Sequence, residues 1–360
     1  HECFEDDEVA AKMNELFVNV KVDREERPDV DAVYMDAVQA MTGRGGWPMT
    51  VFMTPDGEPF YGGTYFPKDS FIKLMDAIDD VHRNRPDDLR QNVTALVEAI
   101  DTTSRIDPAP DIPGVDQLNA AIQNLARGFD GDWGGFGKEP KFPSTFHVEL
   151  MLRAYMATAG DGPKQIITTT LDAMCSGGMY DHVGGGFARY STDREWLVPH
   201  FEKMLYDQAL LLGAYLHSLI VIGQPQWKQV IEETISYVLT DLRHPDGGFF
   251  SAEDADSLDA EGNSVEGAFA TWTPDEVRAA LATIDPTTVE QLIEWFGITD
   301  DGNFEGRSIP NRLHARGELL RSTELEAATR ALREARSRRP RPGLDDKVLT
   351  EWNALFLSAI

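Results

Sequence analysis

The densest group of side chains able to do chemistry runs from Met179 to Asp207. Asp181, His182, His200 and Glu202 offer acid and base groups there, while Arg189, Tyr190, Trp196, Lys203 and Asp207 add charges and aromatic faces. Imidazole beside carboxylate suits proton transfer. Aromatic faces beside carboxylates and Gly-rich turns suit a sugar pocket, where rings stack on the sugar and carboxylates hold its hydroxyls. The same residues also suit a buried network that ties a loop to the helix behind it, and spacing alone does not separate the two.

A second polar cluster, Ser251-Ala252-Glu253-Asp254-Ala255-Asp256-Ser257, continues to Glu266 and Trp272. It fails as a calcium loop, because Leu258 stands where an acidic ligand belongs and the twelfth position from Asp254 is Val265. Glu253, Asp254, Asp256, Trp272 and, further on, Asn353 are therefore candidate substrate-binding residues on a pocket rim, with a solvated acidic loop as the alternative. Two distant cysteines and eight scattered histidines offer no zinc spacing. Gly43-Arg44-Gly45-Gly46 leads into a proline rather than a helix, so it cannot cradle a phosphate on a helix dipole. No metal and no cofactor is expected.

A third candidate lies nearer the N-terminus. Trp47-Pro48 follows a Gly-rich turn and precedes a strand, where thioredoxin-like folds place a cis-proline beside a redox dithiol. Cys3 stands at the front of a helix, where the positive dipole end favours a thiolate. Trp47, Pro48 and Cys3 are thus the candidate redox groove. The element order around them supports it. Helical spacing predicts a helix over residues 6–16; the β-branched run Phe17-Val18-Asn19-Val20-Lys21-Val22 predicts a strand covered on both faces. Pro28 opens a helix through Met41 that Gly43 ends. Two strands, Met49–Thr54 and Phe60–Phe66, flank the turn Pro55-Asp56-Gly57, and a helix follows over 71–81.

Pro108, Pro110 and Pro113 mark an interdomain linker over 101–114. Beyond it the chain changes period. Helices are predicted near 116–128, 145–159, 164–177, 203–222, 227–242, 274–283, 287–296 and 323–336, with one more at the C-terminal end. Three loops resemble one another: Asp132-Trp133-Gly134-Gly135-Phe136, His182-Val183-Gly184-Gly185-Gly186-Phe187 and Asp246-Gly247-Gly248-Phe249-Phe250. They recur after 51 and 62 residues, about the length of a helical hairpin with its loop, which suggests a toroid of paired helices.

Composition narrows the partners. The 360 residues carry a net charge of −28, so nucleic acid and anionic membranes are not expected partners. No apolar run approaches the roughly 20 residues that span a bilayer, and no signal peptide opens the chain. A cytoplasmic location follows. With ten Lys against 23 Arg and abundant Asp, the surface suits a salt-rich, halophilic cytosol. Cys3 and Cys175 are too far apart in sequence to suggest a structural disulfide.

These features together resemble the family of thioredoxin-domain proteins that includes spermatogenesis-associated protein 20. The likeness is carried by His1-Glu2-Cys3-Phe4-Glu5-Asp6, Val22-Asp23-Arg24-Glu25-Glu26-Arg27-Pro28-Asp29, Gly45-Gly46-Trp47-Pro48, Tyr61-Gly62-Gly63-Thr64-Tyr65-Phe66-Pro67, Pro199-His200-Phe201-Glu202-Lys203-Met204-Leu205-Tyr206-Asp207 and Leu349-Thr350-Glu351-Trp352-Asn353. The resemblance implies a thioredoxin-like domain joined to a six-hairpin helical toroid similar to that of N-acylglucosamine 2-epimerases and related glycosidases. It also implies a Cys-His-Trp-Cys-type dithiol just before His1 and further toroid after Ile360.

The expected fold class is multidomain, α/β plus all-α: a partial thioredoxin-like domain over 1–100, the linker over 101–114, and an incomplete (α/α)6 toroid over 115–360. Three functions fit it. One is thiol–disulfide chemistry on a protein-thiol substrate, the second is binding or processing of a carbohydrate, and the third is a non-enzymatic interaction scaffold.

Overall fold

The computed structural model describes residues 3–104 and 112–360. The chain separates into two compact units, His1–Ile112 and Pro113–Ile360. Of the stretch 101–114 that the prolines mark as a linker, residues 105–111 lie outside the described residues, while 101–104 continue the last helix of the first unit instead of forming a linker.

The first unit contains α1 (Asp7–Leu16), α2 (Pro28–Thr42), the hairpin β1 (Thr50–Met53) and β2 (Pro59–Gly63), α3 (Lys68–Asn84) and α4 (Pro86–Ser104). Asp6 caps α1 by accepting the Glu8 and Val9 amides at 3.1 Å, which satisfies donors that the first helical turn cannot. Pro28 starts α2, and Gly43 ends it at φ 73°, a conformation that favours glycine. Its core gathers Cys3, Val9, Phe52, Phe71, Met75 and Ile78.

Phe17–Val22 corrects the sequence reading. The segment forms no strand, and Val18 and Val20 are 95% and 77% exposed. β1 and β2 form a two-stranded sheet that residues 17–22 do not join. Only Phe17 turns inward, edge-on to Phe52 at 5.2 Å. The second hairpin strand also ends at Gly63, short of Phe66, whose ring packs on Phe71 instead. α4 has no counterpart among the elements read from sequence.

The second unit is mostly helical: α5 (Val115–Arg127), α6 (Thr145–Thr158), α7 (Asp161–Ser176), α8 (Leu205–Ile222), α9 (Pro225–Asp241), α10 (Pro274–Ala280), α11 (Pro286–Trp295), α12 (Thr323–Arg336) and α13 (Thr350–Ala359). Each matches a helical period in the sequence. Short ladders connect the loops between them: β3 (Tyr190–Ser191) with β4 (Pro199–His200), β5 (Lys203–Met204) with β6 (Ala252–Glu253), β7 (Asp256–Leu258) with β8 (Ser264–Glu266), and β9 (Leu344–Asp345) on β6.

α8 is the central helix. Leu205, Ala209, Leu211, Leu212, Ala214 and Tyr215 are buried along it, because α6, α9 and α13 pack around it. Among the described residues it is also the one helix long and apolar enough to cross a membrane, with half of it buried inside the fold. A core helix surrounded by partners loses the polar face that a surface helix keeps.

The three Gly-Gly-aromatic loops fold alike. Each closes with an antiparallel bridge: Phe129 with Phe136, Tyr180 with Phe187, and Arg243 with Phe249. Gln208, in the first turn of α8, accepts the Phe187 amide at 2.8 Å and donates to the Phe187 carbonyl at 2.7 Å. Asn353, at the same depth in α13, holds Phe249 in the same way at 2.8 and 3.0 Å. Phe187 and Phe249 are thereby fixed to α8 and α13 respectively.

Phe187 is 1% exposed and Phe146 is 73% exposed. Phe187→Ala is expected to cost about 3–5 kcal/mol, and Phe146→Ala less than about 0.5 kcal/mol. Urea unfolding of the two variants should separate them by that margin.

Candidate functional site

In the second unit a cavity of about 160 Å³ opens beside the middle Gly-rich loop. Asp181 forms part of its wall. Oδ1 of Asp181 accepts the amides of Val183 and Gly184 at 3.1 and 2.9 Å, and Lys203 Nζ donates to Oδ2 at 2.7 Å. The guanidinium of Arg336 forks onto both oxygens at 2.8 Å. Lys203 also donates to the Gly185 carbonyl at 2.9 Å. Burial by itself would raise the Asp181 pKa, but Arg336 and Lys203 hold it well below the usual carboxylate range.

The first Gly-rich loop is wired the same way. Asp130 accepts the amides of Asp132 and Trp133 at 3.1 and 3.2 Å and Lys141 Nζ at 2.7 Å. Lys141 donates to the Gly134 carbonyl at 2.7 Å, and Arg194 forks onto Asp130 at 2.6 Å. Asp130 is not among the groups lining the cavity. An Asp–Lys–Arg staple thus holds two of the three Gly-Gly turns, and Asp181 and Lys203 are parts of a closed ion-pair set on the cavity wall.

Glu253, the cross-strand partner of Lys203 in the β5–β6 ladder, and Asp241 line the same cavity. Glu253 accepts the Tyr237 hydroxyl at 2.7 Å and Arg341 Nη2 at 2.5 Å. Arg341 Nη1 reaches Asp241 at 2.7 Å, so one guanidinium joins two carboxylates. Burial, and after it the Glu253 carboxylate, push the Tyr237 hydroxyl well up. Phe201 and Phe269 supply aromatic surface to the same cavity. Asp254 lines it too, exposed, with Oδ1 accepting the Ala255 amide at 2.7 Å.

His182 reaches the cavity, but its ring is 2% exposed. Nε2 meets the Gly177 carbonyl at 3.0 Å, and burial pushes its pKa down to about 4, which leaves the ring neutral at pH 7. His200 and Glu202 are not lining groups, although Pro199 and Phe201 beside them are. His200 Nδ1 contacts Glu266 at 2.8 Å and Nε2 lies 3.6 Å from Glu202. Glu202, countering the effect of burial, and Glu266 raise the His200 pKa. Glu202 in turn opposes its own burial with His200 and Arg189, the latter at 2.9 Å, and its pKa falls. These residues form an ion-pair network beside the β3–β4 ladder, where Tyr190 faces His200 in register.

The remaining candidates are dispersed. Asp207 is buried with Oδ2 unpartnered, and burial pushes its pKa well up. Trp196 is fully buried, its Nε1 donating to the Trp133 carbonyl at 2.9 Å. Trp272 is covered by the Arg339 guanidinium at 3.6 Å. Asp256 sits in the β7–β8 hairpin opposite Glu266, and Asn353 is used up in its clamp on Phe249. Sequence reasoning missed Tyr237, Asp241, Phe269, Arg333, Arg336 and Arg341. A signal was present for the arginines: residues 330–341 hold Arg330, Arg333, Arg336, Arg338, Arg339 and Arg341 in an otherwise acidic chain.

In the first unit the Trp47–Pro48 peptide is cis. Trp47 is 49% exposed; its Nε1 donates to Asp31 at 2.8 Å, and the Arg24 guanidinium lies 3.8 Å above its ring. Cys3 faces the core instead, 7% exposed, with Sγ donating to the Phe66 carbonyl at 3.1 Å. Cys175 is fully buried and burial raises its pKa well above the usual thiol value.

Comparison with known proteins assigns the class first: a thioredoxin-like N-terminal unit joined to a mostly helical one. Residues 1–101 match a family described as Thioredox_DsbH, protein of unknown function, DUF255. Human spermatogenesis-associated protein 20 is 38% identical over 99% of this chain and 50% of its own length. An uncharacterized protein of Caenorhabditis elegans is 35% identical over 100% of this chain and 54% of its own. Over nearly its whole length the chain is similar to proteins named spermatogenesis-associated protein 20, and it spans about half the length of these curated relatives. Among solved structures, cellobiose 2-epimerase from Spirochaeta thermophila superposes with a TM-score of 0.35 at 17% identity, over 39% of each chain. An unsaturated glucuronyl hydrolase specific for heparin also gives 0.35, at 13% identity over 92% of this chain and 95% of its own. Likenesses this loose support no inference about ligand or arrangement.

Two outcomes test this geometry. Folding holds Asp181 below its unfolded value of about 3.9, so the stability it contributes is present above that pH and is lost as the pH falls through the folded value. Asp181→Asn, which leaves Lys203 and Arg336 buried without their carboxylate, is expected to cost about 3–5 kcal/mol at pH 7. Denaturant titrations at a series of pH values should show that gap narrowing below about pH 4. Both cysteines should resist Ellman's reagent in the native protein and react at once in denaturant; rapid native labelling of Cys3 would contradict its placement in the core.

Proposed function

We propose that the helical unit binds a small polyhydroxylated compound, a mono- or disaccharide, in the cavity beside the middle Gly-rich loop. The observation that carries this reading is the pairing of Phe201 and Phe269 with the Tyr237–Glu253–Arg341–Asp241 chain on the wall of one cavity. Aromatic faces cover the apolar side of a sugar ring, and fixed carboxylates and guanidinium groups meet its hydroxyls. Glu253 and Tyr237, already hydrogen-bonded, are the pair placed to move a proton on such a ligand. The helix pairs on either side of the three like loops support a six-hairpin ring as the arrangement that presents this cavity.

A second reading concerns the first unit. Its match to a thioredoxin-type family over residues 1–101 favours thiol–disulfide chemistry in the longer proteins of the family. The two cysteines of this chain are both buried, so that chemistry is not assigned to them.

Calorimetry against a panel of hexoses, amino sugars and disaccharides tests the first reading. A binding sugar present at a hundredfold excess over its Kd should stabilise the protein by about 2.7 kcal/mol. Phe269→Ala should weaken that sugar about tenfold or more while the far-ultraviolet spectrum stays unchanged. A full panel with no heat of binding and no stabilisation would dispose of the reading.

A further inference from the structure

The two phenylalanines of the cavity come from segments that one side chain ties together. Phe201 follows β4 and Phe269 follows β8, and Pro199 and Gly267 line the cavity beside them. His200 Nδ1 meets Glu266 Oε1 at 2.8 Å, and the same oxygen accepts the Phe201 amide at 3.3 Å. The two segments also pack directly. A Cβ at Gly267 would lie 2.6 Å from Phe201 Cε2. His200 and Glu266 thus form a clamp between two parts of the cavity wall, and His200 itself stands outside the lining.

The clamp is an imidazole with a carboxylate at each nitrogen, Glu266 at Nδ1 and Glu202 3.6 Å from Nε2. Tyr190 of β3 covers the ring, 5.2 Å away and inclined by 30°. Arg189 holds Glu202 at 2.9 Å. On α8, Tyr206 interacts with Arg189, and Asp207, which burial pushes well up, interacts with Arg189 and Glu202. Across the β7–β8 ladder Asp256 faces Glu266. An imidazolium has two N–H donors and serves both carboxylates, whereas a neutral imidazole has one. On losing its proton the ring either leaves Glu266 without a donor or keeps that bond without its charge, and charge-assisted bonds are the stronger kind.

Glu202 and, after it, Glu266 raise the His200 pKa against the effect of burial. The clamp is therefore complete below the ordinary histidine value of about 6.5 and is lost as the pH rises through the higher folded value. His200 keeps 30% of its side chain exposed, so its proton exchanges with solvent. Three lining groups are displaced out of that window: His182 is pushed down to about 4, Asp181 well below the carboxylate range, and Tyr237 well up.

We infer that His200 is a positioning residue of the sugar cavity: charged, it closes Phe201 and the segment after β8 onto the ligand, and neutral, it lets them part, so that the sugar binds more tightly in mild acid. The inference rests on the sugar-binding reading above and adds to it regulation by protons.

Calorimetry on the full chain with D-glucose, D-mannose, N-acetyl-D-glucosamine and cellobiose makes the test. A sugar that binds at about pH 6 should bind about fivefold more weakly at about pH 8.5. His200→Gln, which keeps a donor without the charge, should abolish that dependence and hold the affinity near the wild-type alkaline value, and Glu266→Gln should do the same. Thermal unfolding of both variants verifies that they fold. With isotope-labelled histidine, the NMR resonance missing from His200→Gln should titrate above about 6.5 in the wild type and lower in Glu266→Gln. Equal affinity at both pH values, a dependence that survives His200→Gln, or a His200 resonance titrating below about 6.5 would overturn the inference and leave the sugar reading standing. Failure of every sugar to bind would remove both.

Discussion

A carboxylate taken out of water needs cations to meet it, and the helical unit is organised around one such meeting. Asp181 sits in a Gly-rich turn, accepts two amides of that turn, and is met by both Lys203 and Arg336. The turn has to be glycine for the same reason. A side chain at Gly184 would occupy the Arg336 guanidinium, and Gly185, at φ 79°, would drive one into the Glu233 carbonyl. Loop, ion pair and α12 are thus conditions for one another, and the cavity edge is where they join.

Repetition of this device around Asp130 shows what it is for. Lys141 and Arg194 meet Asp130 as Lys203 and Arg336 meet Asp181, yet the groups lining the cavity come only from the second copy. What differs is the company beyond the staple. Around Asp181 the chain adds Tyr237 from α9, Glu253 from β6 and Arg341 from the segment before β9. The third loop has His244 in place of the aspartate, its Nδ1 accepting the Asp246 amide at 3.0 Å, and depends on Asn353 for its hold. A shared scaffold feature acquires a pocket where neighbouring elements bring unlike charges and aromatic faces to it.

Legibility differed between the two units for physical reasons. The helices of the second unit follow an apolar period near 3.6 residues, and α10, α11 and α12 also begin on side-chain caps from Thr273, Asp285 and Ser322, which are local properties. Phe17–Val22 has an equally clear β-branched run, but a strand exists only where a second strand pairs with it, and that is a property of neighbours. His200 and Glu202 read as acid and base from their types. Whether they are free to act depends on Arg189 and Glu266, which lie 13 and 66 residues away from their partners in sequence.

The helices of the second unit and the three like loops were settled by residue type and spacing alone, because propensity, capping and glycine conformation act over a few residues. Tertiary structure alone decided that Asp181 is stapled rather than reactive, that Cys3 faces the core, and that Tyr237, Asp241, Arg333 and Arg341 share a cavity with Glu253. Those outcomes depend on burial and on which charges meet across 22 to 155 positions of sequence, and electrostatic pairing in a desolvated site is determined by distance in space.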